Sequence, residues 1–327
     1  MTENDIRPDS LRANQKQYED EDIAFMIAKR EQFEKVNCPA CDFNNRHELF
    51  SKNLMKYKEC DNCGMLYINP RPTHKILKSF YSNSPVYKYF NDFIFPASKE
   101  ARRDKIFIPR VQKISSLIDK YNINTNFILE IGAGYGLFCE EMVKINKFDN
   151  VVATEASDSL YETCTSHGYK VYNGIFEELN IKEKFDCVVS FEVIEHVSNP
   201  YSFLKKIYST MTNNSLLYLT FPHYNGFDIG VERENSRSVD HEHLNYFNEN
   251  SINILLNRVG FELVEVDTPG VLDVELVRKD ILSGIYKPNA FIKTVCIDRY
   301  EELGEKFQKF LTDNKLSSNM SIVAKKI

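Results

Sequence analysis

Residues 127–136 read FILEIGAGYG, and this stretch decides the fold. The chain has only 12 glycines, and three of them, Gly132, Gly134 and Gly136, stand at alternate positions here. An apolar run, Phe127-Ile128-Leu129, leads into them, and residues 137–143 carry apolar side chains at helical spacing behind them. The pattern predicts a strand, a tight glycine turn and a helix. Glycine suits a place where the chain turns sharply or where a ligand must approach the backbone. A nucleotide-type cofactor lying over the strand ends of an α/β sheet needs both.

The turn is G-x-G-x-G, not the G-x-G-x-x-G that seats a pyrophosphate on a helix N-terminus. Two acids sharpen it. Glu130 stands two residues before Gly132, and Glu155 closes the next apolar run, Val151-Val152-Ala153-Thr154. A carboxylate at the end of a second strand can accept hydrogen bonds from both hydroxyls of a ribose. The plain alternative is an ordinary strand-to-helix turn with a solvated glutamate.

At 327 residues the chain has room for one large domain or two modest ones. A hydrophobic content of 43% supports a packed core, and the formal net charge of −6 argues against a general nucleic-acid binder. Arg102-Arg103-Lys105 is the one basic cluster to weigh against that. No apolar run approaches the ~18 residues of a spanning helix. The first residues, MTENDIRPDS, are polar and acidic, unlike a secretory signal. The expected setting is therefore the cytoplasm, with no membrane partner.

Four of the eight cysteines form two C-x-x-C pairs, Cys38/Cys41 and Cys60/Cys63. This spacing predicts a tetrahedral thiolate metal site, with zinc as the ion and a structural role, since four protein ligands leave no open position. Rubredoxin-like iron, two disulfides and redox pairs are the rivals. The other four, Cys139, Cys164, Cys187 and Cys296, are expected as reduced core residues. Around this module the expected organisation is a helical arm over 1–36, the metal module over 37–72, and an aromatic linker with lead-in helices over 73–120. A last unit covers 121–327. In it, strands at 127–131, 151–155, 170–172, 186–190, 216–221 and 261–266 alternate with helices, and 320–327 closes the sheet. Such alternation predicts a parallel sheet covered on both faces.

LEIGAGYG, VVATEAS and FDCVVSFEVIEHVSNP, in this order, resemble the class I S-adenosylmethionine (SAM) methyltransferases over roughly residues 101–270. The resemblance implies a Rossmann-like α/β fold with seven strands, the seventh antiparallel and inserted beside the sixth, so that 270–318 becomes a helical insertion. It implies that Glu130, Gly132 and Gly134, with Gly136 in the same turn, line the methionine end of SAM, and that Glu155 holds the ribose. Glu192, Glu195 and His196 match the family's acidic E-H segment beside cofactor and substrate. Many members carry an Asp after the glycine that follows strand three, to bind the adenine amine; here that segment is Asn173-Gly174-Ile175-Phe176-Glu177.

The run from CPAC through CDNCGMLYINPRP to SFY resembles the zinc-bearing module that precedes the methyltransferase domain in some sugar methyltransferases. There a tyrosine-rich segment closes over SAM or substrate, which makes Tyr81, Tyr87 and Tyr89 candidates; aromatic core between two domains is the alternative. Residues 241–247, HEHLNYF, resemble the catalytic loop of zinc-bearing sugar C-methyltransferases. On that match Glu242 and His243 are base and orienting partner, with Tyr246 and His223 near the substrate. A zinc-protease reading fails because Asn245 stands where H-E-x-x-H needs its second histidine. Transfer of a methyl group from a sulfonium to a hydroxyl needs alignment and a base titrating near working pH. Histidine suits that best, so His243 is the expected base, with Glu242 or Asp240 orienting it and His196 and His223 next in line.

The expected function is methylation, on oxygen or carbon, of a sugar or nucleotide-sugar for a cell-surface glycan or glycosylated metabolite, with SAM as cofactor and structural zinc. Those C-methyltransferases carry a long second C-terminal domain, and here only about fifty residues are inserted, which keeps O-methylation open. A nucleic-acid methyltransferase guided by the zinc module and an idle SAM-fold binding protein are the alternatives. Whether the arm joins two subunits into a homodimer stays open.

Overall fold

The computed structural model describes residues 1–326; the last residue of the expected closing strand, Ile327, lies outside them. Three strands come first: β1 (Arg46–Lys52), β2 (Met55–Cys60) and β3 (Leu66–Ile68). There follow β4 (Phe127–Ile131), β5 (Asn150–Glu155), β6 (Lys170–Asn173), β7 (Phe185–Phe191) and β8 (Met211–Pro222). The two-residue β9 (Asn245–Tyr246), β10 (Phe261–Asp267) and β11 (Asn319–Lys326) complete the set.

Seven strands form one sheet in the order β10-β11-β8-β7-β4-β5-β6. The pairs among β4 to β8 are parallel, and β11 runs antiparallel to both its neighbours, β8 and β10. The seventh strand of this sheet thus sits beside the sixth. Helices bury both faces, which is why every residue of β7 is buried and, Asp186 and Ser190 apart, the strand is apolar. Alternate residues separate to the two sides. Cys187 and Val189 join the core cluster of Ile114, Phe138 and Met142 on one face, while Val188 joins that of Phe203, Ile207 and Leu255 on the other.

Among the expected lead-in helices, the last before β4 are Phe95–Arg102 and Ile108–Tyr121, joined by a π turn at Arg103–Phe107. Pro109 explains the break: it has no N–H to donate to the carbonyl four residues back. Between β10 and β11 lie the helices Asp273–Leu282, Ala290–Lys293 and Tyr300–Asp313, which close on Val274, Val277, Ile292 and Leu311. The N-terminal helix Arg12–Ala28 packs along the aromatic segment, where Ser84 Oγ donates to Asp22 at 2.6 Å and Tyr89 Oη to the Leu11 carbonyl at 3.0 Å. Glu3 reaches Lys279 at 3.0 Å. Among the described residues, no helix is long and apolar enough to cross a membrane.

The cysteine module builds a second sheet, β1-β2-β3-β9, and its fourth strand comes from the far loop that carries His241 to His243. Leu66 pairs with Tyr246 and Tyr67 with Asn245, while the next residue, Phe247, bridges to His223 at the end of β8. Three residues therefore tie the small sheet to the large one.

Candidate functional site

A cleft of about 1470 Å³ opens over the ends of β4, β5, β7 and β8. Its floor is the glycine turn. Gly132, Gly134 and Gly136 all have positive φ, at +76°, +55° and +83°. Their surroundings differ. A Cβ on Gly132 would stand 2.5 Å from Val193 Cγ2, whereas one on Gly134 would meet nothing within 4 Å. Gly134 thus presents bare backbone to open space in the cleft. Gly136 faces Tyr169, Cys164 and His167 and does not line the cleft. It packs against these side chains and starts the next helix.

Glu155 ends β5 and is buried, with its carboxylate accepting N–H bonds from Gly134 (2.7 Å), Ala156 (2.9 Å) and Ser157 (2.8 Å). Burial raises its pKa, and these three bonds oppose the rise. Glu130 lies beneath the turn, accepts from Cys139 Sγ at 3.0 Å, and burial pushes its pKa up to about 8. Glu192 takes a positive φ of +56°, a strained setting for a non-glycine residue. Its Oε1 accepts from Thr220 Oγ1 at 2.5 Å and Asn319 Nδ2 at 2.9 Å, with Arg110 at 3.8 Å. Ile175, Phe176 and Glu177 line the wall where the family's adenine-binding Asp would be expected.

At the other end of the cleft stand His196, Glu242 and His243, with Tyr81 and Tyr87 over them. The rings of His196 and His243 meet edge to face at 4.7 Å. His243 Nδ1 lies 2.8 Å from the Ser238 carbonyl, and His196 Nδ1 lies 3.3 Å from the Glu242 carbonyl. A carbonyl only accepts, so each ring carries a proton on Nδ1 and its bond there leaves Nε2 as the outward nitrogen. Asp240 Oδ2 is 3.5 Å from His243 Nδ1, whereas Glu242 turns away and accepts from Tyr87 Oη at 2.8 Å. Asp240, not Glu242, is the carboxylate beside the imidazole. Burial and the Asp240 charge push Glu242 up to about 8, and burial lowers His196 to about 3.

Two of the expected substrate-facing residues are elsewhere. His223 lies outside the cleft, with Nδ1 3.1 Å from the Ser317 carbonyl. Tyr246 is wholly buried behind the loop, where its hydroxyl accepts from the Asp240 N–H at 3.1 Å. Tyr89, bonded to the arm, also does not line the cleft. Arg110, Thr220 and Asn319 were not expected at the site. Arg110 had a signal: it interrupts the apolar stripe that holds Ile106 and Ile114. Asn319 had none, since only the antiparallel insertion of β11 brings it to β8.

The loop owes its position to the cysteine module. Lys52 Nζ donates to the carbonyls of Ser236 (2.9 Å) and Val239 (2.6 Å), and Tyr57 Oη donates to that of Asp240 (2.6 Å). Asn245 Nδ2 donates to the carbonyls of Ile194 (3.2 Å), Glu195 (3.2 Å) and Val197 (2.8 Å), which fastens the E-H turn to β9. Arg71 is fully buried and donates to the carbonyls of Ile68 (3.2 Å), Ser198 (2.9 Å) and Leu244 (2.9 Å). Arg71→Met should lower unfolding free energy by at least about 1–3 kcal/mol, the cost of a buried polar group left unpaired. Urea denaturation checks it; an unchanged midpoint with unchanged slope would remove Arg71 from the clamp.

The four sulfurs of Cys38, Cys41, Cys60 and Cys63 lie within 4.8 Å of one another, with Cys38–Cys63 and Cys41–Cys60 both at 3.5 Å. Thiolates on a tetrahedral zinc, with bonds of about 2.3 Å, stand about 3.8 Å apart. The set is free of disulfides and fits that ion. Asn248 Nδ2 donates to the carbonyls of Cys63 (3.3 Å) and Gly64 (2.8 Å), which seats the second knuckle on the helix Glu249–Val259.

Comparison with known proteins bears on this site. Among curated relatives, the ubiquinone biosynthesis O-methyltransferase of Bradyrhizobium diazoefficiens is 30% identical over 99 residues, covering 28% of this chain and 38% of the relative. That of Maricaulis maris is 35% identical over 85 residues, covering 24% and 33%. The match thus spans about a third of these relatives' length. Among solved structures, a chain of the complex between the Haloferax volcanii Trm112 methyltransferase activator and a methyltransferase superposes with a TM-score of 0.51 at 11% identity, covering 73% of this chain and 97% of that one. A SAM-dependent methyltransferase from Clostridium acetobutylicum gives 0.48 at 13% identity, covering 72% and 98%. The first of these supports the fold alone. The sequence model described as methyltransferase domain matches residues 100–266, the stretch that builds β4 to β8 and the cleft above them. With half its length accounted for in this way, and the class I sheet order in place, the chain belongs to the methyltransferase domain family.

Proposed function

We propose that the protein transfers the methyl group of SAM to a hydroxyl of a sugar or nucleotide-sugar. The observation that carries this reading is the cleft itself, which joins a bare-backbone turn and ribose-type carboxylate at one end to an imidazole pair at the other. Its volume exceeds the roughly 300–1,000 Å³ of a single-ligand site and suits two ligands side by side. Gly132, Gly134 and Glu155 would hold SAM, with Glu192 beside them, Glu130 supporting the turn from beneath, and Tyr81 and Tyr87 closing over the acceptor end. The bound cofactor supplies a methyl group on a sulfonium. His243, with Asp240 beside its Nδ1, receives the proton of the acceptor hydroxyl on Nε2, and the hydroxyl oxygen then takes the methyl group. Oxygen is preferred over carbon because the curated relatives of the SAM-binding stretch are O-methyltransferases; the sugar rests on the resemblance of the cysteine module. Cys38, Cys41, Cys60 and Cys63 would hold a structural zinc, remote from the reaction.

The basic cluster that a nucleic-acid reading needs is already spent. Arg102 donates to the Ile6 carbonyl at 2.8 Å, Arg103 pairs with Glu100 and Asp104 at 3.0 Å, and Lys105 pairs with Asp5 at 2.7 Å. Incubation with SAM and panels of nucleotide-sugars, free sugars and phenols, read by mass spectrometry, tests the proposal. A nucleotide-sugar or sugar should gain one methyl group, and NMR should place it on oxygen. Methylation of phenols alone would overturn the substrate class, and a methyl on carbon would overturn the acceptor atom.

A further inference from the structure

We propose that Glu195, His196 and His243 form a second metal site, which takes a divalent first-row cation at the acceptor end of the cleft. One carboxylate oxygen and one nitrogen from each ring lie within 4.8 Å of one another, and all three residues line the cleft. Glu195 is fully buried, and neither of its oxygens has a hydrogen-bond partner among the described residues. A buried carboxyl left bare is costly, and native structures pair such groups or use them on ions. Both histidines are fixed in the manner of ligating imidazoles, through Nδ1 to a backbone carbonyl, Ser238 for His243 and Glu242 for His196. Their Nε2 atoms are the free ones, and that of His196 is 3.9 Å from Glu195 Oε1. Ligands on bonds of about 2.1 Å sit about 3 Å apart, so side-chain rotation must draw the set in by about 1–2 Å. The backbone beneath is held by Asn245.

Two imidazoles and one carboxylate with open positions make a facial donor set, unlike the closed four-thiolate cluster. Two adjacent open positions fit an acceptor that carries neighbouring hydroxyls. This rests on the methyltransferase reading of the cleft and narrows its substrate class to vicinal diols. A cation there polarises the acceptor oxygen so that its proton leaves more readily. With the cation bound, His243 Nε2 is a ligand and no longer the base, so the O–H proton passes to the Glu242 carboxylate, the oxygen forms its bond to the methyl carbon, and the electron pair of the broken C–S bond stays on sulfur.

Manganese(II) titration of the full chain, with its cysteine cluster intact and followed by electron paramagnetic resonance, tests the site. One Mn²⁺ per chain is expected. Glu195→Gln and His196→Ala should each weaken it by at least about a hundredfold, beyond the roughly 10–100-fold cost of losing only an outer partner. Glu195→Gln keeps the side-chain volume, and a wild-type melting curve shows that it folds. Brief chelation should stop turnover and Mn²⁺ should restore it. No bound manganese, or binding undiminished in both variants, overturns the proposal. Turnover indifferent to chelation, in a protein that binds and consumes SAM, overturns the cation while the methyltransferase reading stands. Failure to bind SAM overturns that reading, whatever manganese does.

Discussion

Alanine at His243 is expected to cut turnover by about 10²–10⁴-fold, the usual worth of positioned acid–base help, while SAM affinity stays near wild type. A hydroxyl becomes a good nucleophile only as its proton leaves, so a group acting at that oxygen helps the transition state and not the ground state. The Ser238 carbonyl fixes the ring by its Nδ1–H, which leaves Nε2 toward His196 and the acceptor end of the cleft. Glu155 and Gly134 hold each other at the opposite end, with no bond to His243. Glutamine at the position should not rescue, because it offers no basic nitrogen. The split to measure is kcat, from release of S-adenosylhomocysteine, against SAM affinity by calorimetry. If more than about a third of turnover survives, well short of the expected loss, His243 does not act at the acceptor.

Loss of the thiolate cluster should cost more in stability than any other change. Zinc held by four cysteines contributes about 10–16 kcal/mol of apparent binding free energy in small modules, and that energy is folding free energy. It matches the whole stability of a typical domain, about 5–15 kcal/mol. The Cys38→Ser/Cys60→Ser double variant should lose one zinc per chain, melt at lower temperature and lose solubility. Turnover should fall with it, since β3 carries β9 and since Lys52 and Tyr57 hold residues 236–240. SAM affinity should suffer least, because the glycine turn stands on β4 and β5 in the other sheet. Metal analysis and a thermal melt decide it. Full zinc content in the double variant would contradict the assignment.

The strand positions were legible because a parallel sheet covered on both faces leaves short apolar runs between helices. The glycines were legible because a sharp turn demands residues of special conformation, and Glu155 because it closes an apolar run. What the residues alone did not disclose depends on contacts across the chain. Gly136 looks like its neighbours in sequence, and only the packing of Tyr169 and Cys164 separates its role from theirs. Tyr246 sits in β9 and is buried behind the loop, and His223, just past the end of β8, turns to the Ser317 carbonyl, while Glu242 and His243 line the cleft. The module boundary near residue 72 hides that the small sheet is finished by Asn245 and Tyr246, more than 170 residues later in the chain. A two-residue strand has no periodicity to read. The π turn at Arg103–Phe107 was the exception, since Pro109 marks it in the sequence.

Calorimetric titration of SAM into the wild-type chain and into Glu155→Ala puts the reading of the cleft to its shortest test. One SAM per chain should bind the wild type. Removing a carboxylate that accepts from the ribose should weaken that by about 1.5–3 kcal/mol, the range for hydrogen bonds to charged groups, or roughly tenfold to a hundredfold in Kd. No heat of binding with the wild type, or equal affinity in the two proteins, would mean that the turn from Gly132 to Gly136 and the carboxylate beside it serve something other than SAM.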